Sequence, residues 1–190
     1  SGTNVFDATG RIVAQAPRSD LDFDVASLLA GEFALKRFTL LGVQLTAVRD
    51  AQGALKLGFG QADSDVDLFE MIRNTLDGEG SGSSPLETFS IQDARLAFRD
   101  ESTGLFIVAP HANFSVGRNQ DQFEASFDAD IELSGVPAQL SALAIVDDNG
   151  VPRGGSLSVT GLDLVALAAN SEAFSSLAPY ALTTNLVSEF

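Results

Sequence analysis

Gln122-Phe123-Glu124-Ala125-Ser126-Phe127-Asp128-Ala129-Asp130-Ile131-Glu132-Leu133-Ser134 alternates apolar and polar side chains without a fault. Side chains of a strand point to opposite faces in turn. Phe123, Ala125, Phe127, Ala129, Ile131 and Leu133 therefore share one face, and Glu124, Ser126, Asp128, Asp130, Glu132 and Ser134 share the other. One face is hydrocarbon and the other acidic. At about 3.3 Å per residue the strand would span roughly 40 Å, against a usual length of about 17–20 Å, which points to a large, curved or twisted sheet.

Two strands precede it. Phe89 to Arg99 ends at Arg99-Asp100-Glu101-Ser102-Thr103-Gly104, a turn with Asp early and Gly last, and the chain resumes as Leu105-Phe106-Ile107-Val108. Within the first of these the apolar parity switches from odd (Phe89, Ile91) to even (Ala94, Leu96, Phe98), as a β-bulge near Asp93 would produce. Bulges of this kind bend sheets.

The turn recurs. Gln44-Leu45-Thr46-Ala47-Val48-Arg49-Asp50-Ala51-Gln52-Gly53-Ala54-Leu55 aligns with Ala94-Arg95-Leu96-Ala97-Phe98-Arg99-Asp100-Glu101-Ser102-Thr103-Gly104-Leu105, given one extra turn residue, and Ala144-Ile145-Val146-Asp147-Asp148-Asn149-Gly150 is a weaker third copy before Ser156 to Val159. This reads as successive hairpins of one sheet, not as a solenoid of fixed period. Further hairpins are predicted at Val5 to Val13, around Asp7-Ala8-Thr9-Gly10 and ended by Pro17, and at Val43 to Val48 with Ala54 to Phe59. Leu21 to Asp24 alternates as a strand edge, and a strand is expected from Glu32 to Leu40. Short helices are expected at Val25–Ala30, closed by Gly31, at Asp65–Leu76, capped by Asp63-Ser64-Asp65, and over Leu162–Leu177, ended by Pro179. Gly78 to Pro85 reads as a flexible Gly/Ser loop. The fold class expected is α+β: a mostly antiparallel, curved, groove-like β-sheet of hairpins with a few short covering helices.

The 190 residues are 45% hydrophobic and 19% charged, enough to bury roughly 70% of the unfolded surface around one core, so residues 1–190 are expected to form a single domain. A formal charge of −15 repels phosphate backbones and anionic surfaces, and no nucleic-acid partner is expected. Cysteine is absent, which excludes thiolate chemistry, disulfides and Cys-based zinc sites. No apolar run approaches the roughly 20 residues that span a bilayer. Beginning on Ser1-Gly2 and stopping on Ser188-Glu189-Phe190 in mid-pattern, the chain reads as an excised segment of something longer.

Candidate chemistry is sparse. His111 is the only histidine, and without a Gly-x-Ser-x-Gly elbow a nucleophilic triad has almost no support. Asp63-Ser64-Asp65-Val66-Asp67 imitates the start of a calcium loop, but Leu68 stands at the turn glycine and Asn74 at the bidentate Glu, so helix capping explains it better. Glu124, Asp128, Asp130 and Glu132 read as a solvated acidic face in preference to a cation site. Gly78-Glu79-Gly80-Ser81-Gly82 follows a helix, where a dinucleotide-type phosphate loop would follow a strand. No catalytic residue, metal ligand or cofactor is expected.

Fourteen phenylalanines against one tyrosine and no tryptophan are the remaining anomaly. Phe89, Phe98, Phe106, Phe114, Phe123 and Phe127, with Ile131 and Leu133, fall on the central strands. They either fill a core under helices or line an apolar groove for an acyl chain, since a ring without a polar handle suits hydrocarbon.

Leu28-Leu29-Ala30-Gly31-Glu32-Phe33-Ala34-Leu35-Lys36-Arg37-Phe38, then Val43 to Leu55, then Phe89-Ser90-Ile91-Gln92-Asp93-Ala94-Arg95-Leu96-Ala97-Phe98-Arg99-Asp100 resembles, in the same order, the membrane-proximal part of AsmA-like proteins, especially the YhdP type of Gram-negative bacteria. The resemblance implies a long periplasmic protein held in the inner membrane by an N-terminal helix outside this chain. Its curved β-sheet would carry phospholipid acyl chains toward the outer membrane along an apolar groove, without enzymatic chemistry. The partners implied are phospholipid acyl chains and the remainder of the full-length protein. The alternative is a structural or assembly module of an envelope protein with a conventionally filled core.

Overall fold

The computed structural model describes residues 3–6, 12–29, 34–59, 86–119, 122–147 and 151–190. A two-stranded ribbon comes first, β1 (Thr3–Phe6) against β2 (Ile12–Ala16). Then follow β3 (Arg18–Phe23), α1 (Val25–Leu29), β4 (Leu35–Leu41), β5 (Gln44–Arg49) and β6 (Leu55–Phe59). Five long strands make the body: β7 (Thr88–Asp100), β8 (Phe106–Asn119), β9 (Gln122–Leu133), β10 (Val136–Asp147) and β11 (Pro152–Asp163). The chain closes with α2 (Leu164–Asn170), a 3-10 helix (Glu172–Leu177) and β12 (Thr183–Glu189). All strands from β3 onward belong to one ten-stranded sheet in the order β12-β11-β10-β9-β8-β7-β4-β3, with β5 on β7 and β6 on β5. The class is α+β, a large, curved, unclosed and mostly antiparallel sheet with a few short helices. The helix expected at Asp65–Leu76, the Gly31 cap and the Gly78 to Pro85 loop lie outside the described residues.

The three aligned turns share one device. Asp50 Oδ1 accepts from the Gln52 and Ala54 N–H groups at 3.0 and 2.8 Å. Asp100 Oδ1 accepts from the Ser102 N–H and hydroxyl at 2.9 and 2.6 Å. Asp147 Oδ1 accepts from the Val151 N–H at 2.9 Å. A short carboxylate at the end of a strand thus satisfies turn amides that no ladder can reach. Each aspartate also meets a cation: Lys56 at 3.8 Å, Arg49 at 3.3 Å and Arg153 at 2.7 Å respectively. Gly53 and Gly104 close the first two turns at φ 88° and 70°, where a Cβ would be strained. Between β9 and β10, Ser134 and Gly135 have φ 50° and 80°, the backbone of a tight two-residue hairpin.

The hairpin reading holds for β5–β6 and from β7 to β11, but β7's other edge is paired in parallel. Arg37–Leu41 runs beside Thr88–Gln92, and Gln44–Arg49 beside Arg95–Asp100. Between the two stretches Gly42 turns at φ 68°, its N–H donating to Gln92 O at 2.9 Å, while Arg95 N–H donates to Val43 O at 2.8 Å. Opposite this break lies the expected bulge: the β7–β8 register shifts between Ile91 and Ala94, and Asp93 takes φ 51°. One strand further, the β8–β9 register shifts between Val108 and His111. The irregularities form a line across three neighbouring strands, and His111 Nδ1 lies 2.7 Å from Asp93 Oδ1 along it.

α2 begins at Leu164, two residues later than expected. Leu162 and Asp163 still pair with β12, and the Asp163 carboxylate caps the helix by accepting from Ala166 N–H at 2.8 Å. The helix closes one end of the apolar face. Ala166 and Leu162 join the core with Leu133 and Ile131, Asn170 Oδ1 accepts from Phe106 N–H at 2.7 Å, and the Ser171 hydroxyl donates to Thr103 O.

Candidate apolar binding face

Residues paired directly across strands point to the same side. From β8 through β11 the register therefore lays down rows. Phe114, Phe127, Ala142 and Leu157 form one; Val116, Ala125, Ala144 and Gly155 the next; Ala112, Ala129, Leu140 and Val159 a third. Every member is apolar. The rows continue across β7 through Ile91, Phe89 and Ala94 and onto β4 through Leu40 and Phe38, whose ring meets Phe89 edge-on at 5.8 Å.

Coverage of this face is graded. Toward α2 it is closed, with Ile131 at 4% and Leu133 at 2% exposure, and Phe89 is equally buried at 4%. These three are core residues. Away from α2, Phe114, Phe123 and Phe127 are half-buried, as are Ala125, Leu140, Ala142, Ala144 and Val146. Phe98 is half-buried on the same face, paired with Ile107 and Ala47. Phe106 belongs elsewhere. It pairs with Arg99 on the opposite face and is 47% exposed. One extra residue in β8 between Val108 and His111 reverses parity along the strand, so even-numbered Phe106 and even-numbered Phe114 point to opposite sides.

The reverse face is polar along β9, while Phe106, Val108, Leu143 and Ile145 place apolar side chains on it from β8 and β10. Glu124, Asp128, Asp130 and Glu132 are exposed on it, Ser115 Oγ and Ser126 Oγ lie 2.8 Å apart, and a shallow hollow of about 220 Å³ is lined by His111, Asn113, Asp128, Asp130 and Gln139. Among the described residues no group of three or more His, Asp or Glu side chains could hold a metal ion. Among the described residues two carboxylates sit below the usual range: Asp100 at about 2, held down first by the Ser102 hydroxyl, and Asp24, which accepts from Ser27 Oγ at 2.8 Å and pairs with Lys36 at 3.2 Å. Lys36 is raised in return by Asp24. Both carboxylates serve turn and helix-cap geometry.

Leu140, Ala142, Ala144 and Val146 on β10 recur at every second position of Val136–Asp147, a strand that begins well before the Ala144-Ile145-Val146 end marked by the repeated turn. Leu157 and Val159 extend the face beyond it. Arg118 was not singled out at all; it pairs with Phe123 across the β8–β9 hairpin, its guanidinium carbon 5.2 Å from the ring centroid. Among the described residues no helix is long and apolar enough to cross a membrane. No protein-family model matches the chain, and comparisons with curated proteins and with solved structures return no match.

Proposed function

We propose that the chain is a non-enzymatic segment of an inner-membrane-anchored periplasmic protein of AsmA-like type, and that its apolar sheet face takes phospholipid acyl chains on their way toward the outer membrane. The observation that carries the reading is the row Phe114, Phe127 and Ala142, half-buried, and Leu157, exposed, with its neighbours, an apolar surface several strands wide on an unclosed sheet whose reverse side is acidic along β9. A face closed by α2 at one end, buried from Phe89 to Ala94 on β7, and half-covered from Phe123 to Phe127 on β9 and from Leu140 to Val146 on β10 offers hydrocarbon a place to lie without unfolding the domain. Native mass spectrometry of the protein purified gently from Gram-negative cells tests this. Co-purified phospholipid is expected, and its complete absence would overturn the reading.

A second reading, a structural or assembly module of an envelope protein with a filled core, is favoured by the end beneath α2. There Ile131, Leu133, Ala138 and Ala166 pack as an ordinary interior.

A further inference from the structure

We infer that a hollow on the side of the sheet opposite the apolar face binds a short peptide as its zwitterion, the peptide's carboxylate at Arg95 and its ammonium at Glu132; the inference goes beyond the acyl-chain reading and stands without it. The hollow measures about 470 Å³, within the roughly 300–1,000 Å³ usual for ligand sites, and its lining includes Gln44, Thr46, Arg95, Val108, Pro110 and Glu132. Thr46, Ala97, Val108 and Glu132 pair in turn across β5, β7, β8 and β9, so they form one row on that side. Arg95, paired with Gln44, stands two positions along β7 from Ala97 and shares the side.

Position and charge both point to a ligand. Arg95 lies where the β7–β8 register shifts between Ala94 and Leu96, and Pro110 where the β8–β9 register shifts between Val108 and His111. The hollow therefore opens on the line of irregularities, and bulges, which re-aim side chains, are over-represented next to active sites. Arg95 and Glu132 are both exposed, and among the described residues neither makes an ion pair, with the other or with any third group. Arg49, by contrast, is engaged by Asp100 at 3.3 Å. A cation and an anion on either side of Ala97, Val108 and Pro110 suit a ligand that is negative at one end and positive at the other, since a dianion would meet Glu132 and a dication Arg95. In a chain of charge −15, a ligand of zero net charge also escapes the repulsion that an anion meets. The guanidinium fork takes a carboxylate in two parallel hydrogen bonds, and the Gln44 amide and Thr46 hydroxyl can both donate and accept, as peptide C=O and N–H groups require.

The register sets the ligand's length. Glu132 is two strands from Arg95, at about 4.8 Å each, and two residues, or about 6.6 Å, further along the row, so their Cα atoms lie roughly 12 Å apart. An extended tripeptide covers roughly 10 Å, and two side chains leaning inward close the difference. A single amino acid, whose two charges share one carbon, is too short to touch both.

The test titrates the whole chain with trialanine, with N-acetylated trialanine, which lacks the ammonium, and with C-amidated trialanine, which lacks the carboxylate, following backbone amide shifts by NMR. Wild type is expected to bind trialanine with shifts centred on Thr46, Ala97 and Val108, and each cap is expected to weaken binding on the order of tenfold. Arg95→Gln should bind the free peptide no better than wild type binds the amidated one, and should no longer tell those two apart; Glu132→Gln should do the same for the free and acetylated forms. Arg99→Gln, the same change of charge outside the hollow, should bind as wild type does. Absence of shifts with trialanine in wild type would overturn the proposal. So would equal binding of the free, acetylated and amidated peptides, a result that requires no variant to fold. Weakening by Arg99→Gln as large as that by Arg95→Gln would overturn it as well, by making the effect one of net charge.

Discussion

Replacing Phe127 by aspartate puts a carboxylate among Phe114, Ala142 and the neighbouring rows, at a place that is half-buried, while the same change at Ile131 puts one into a site that is 4% exposed beside Ala138. The two sites lie on one face of one strand, so they differ in coverage and little else. Phe127 has forfeited only part of its contact with water. Losing that partial burial costs about 1–2 kcal/mol, and a carboxylate at a half-open site keeps much of its hydration. At Ile131 an unpaired buried carboxylate costs several kcal/mol, a large share of the 5–15 kcal/mol typical of a whole domain. With roughly 2–4 °C of melting temperature per kcal/mol at this chain length, Phe127→Asp should melt about 2–8 °C below wild type, and Ile131→Asp should melt far lower or fail to fold. Thermal unfolding followed by circular dichroism, with bound lipid counted by native mass spectrometry, reads both effects. Phe127→Asp is expected to stay folded and lose its lipid. If it unfolds as Ile131→Asp does, the face at Phe127 is a closed core; if it stays folded and retains lipid normally, this strand is no part of a groove. Asp128→Lys, on the exposed acidic side, should alter neither reading.

Other consequences are open to measurement. Because Asp100 is held at about 2, below its unfolded value near 3.9, its contribution is present above roughly pH 4 and lost as pH falls toward 2. Acid titration of stability should show that loss in wild type and less of it in Asp100→Asn. Asp163→Ala removes the cap of α2 and should cost about 1 kcal/mol, with faster amide exchange at Phe106, whose N–H is held by Asn170. Gly155→Val would place a Cβ 2.6 Å from Leu143 O and from the Phe190 ring, so β12 should detach or shift, seen as loss of exchange protection over Thr183–Glu189.

The parts of the fold that depend on local pattern were legible. Unbroken alternation announced β9, and a strand ending in Asp with Gly three or four residues later located two turns, at Asp50–Gly53 and Asp100–Gly104, whose aspartates prove to hold the turn amides. The parity switch at Asp93 announced a bulge. The same kind of switch exists in β8, from Ile107 and Ala109 to Ala112, Phe114 and Val116, but Phe106 and Val108 are apolar on the reverse face and blur it. Hence Phe106 was grouped with residues it does not accompany. The parallel pairing of β4 and β5 with β7 could not be read, because alternation says which side a residue takes and is silent about which strand lies alongside some fifty residues later. Burial at Ile131 and Leu133 depends on α2 arriving from thirty residues downstream, and strand pattern carries no trace of that.

Gly42, Asp93 and the Pro110-His111 pair also set terms for how this sequence can change. In each of these strands the irregularity is the point at which odd and even positions exchange sides. Removing one residue at Asp93 would invert every position of β7 beyond it, turning Leu96 and Phe98 toward the side now occupied by Arg95 and Arg99. A compensating deletion in β8 alone would leave β7 out of step with β5, and one in β5 alone would leave it out of step with β8. The three strands are bound to one another by residue count, so chain length along this line should be far less free to drift than the identity of the side chains on either side of it.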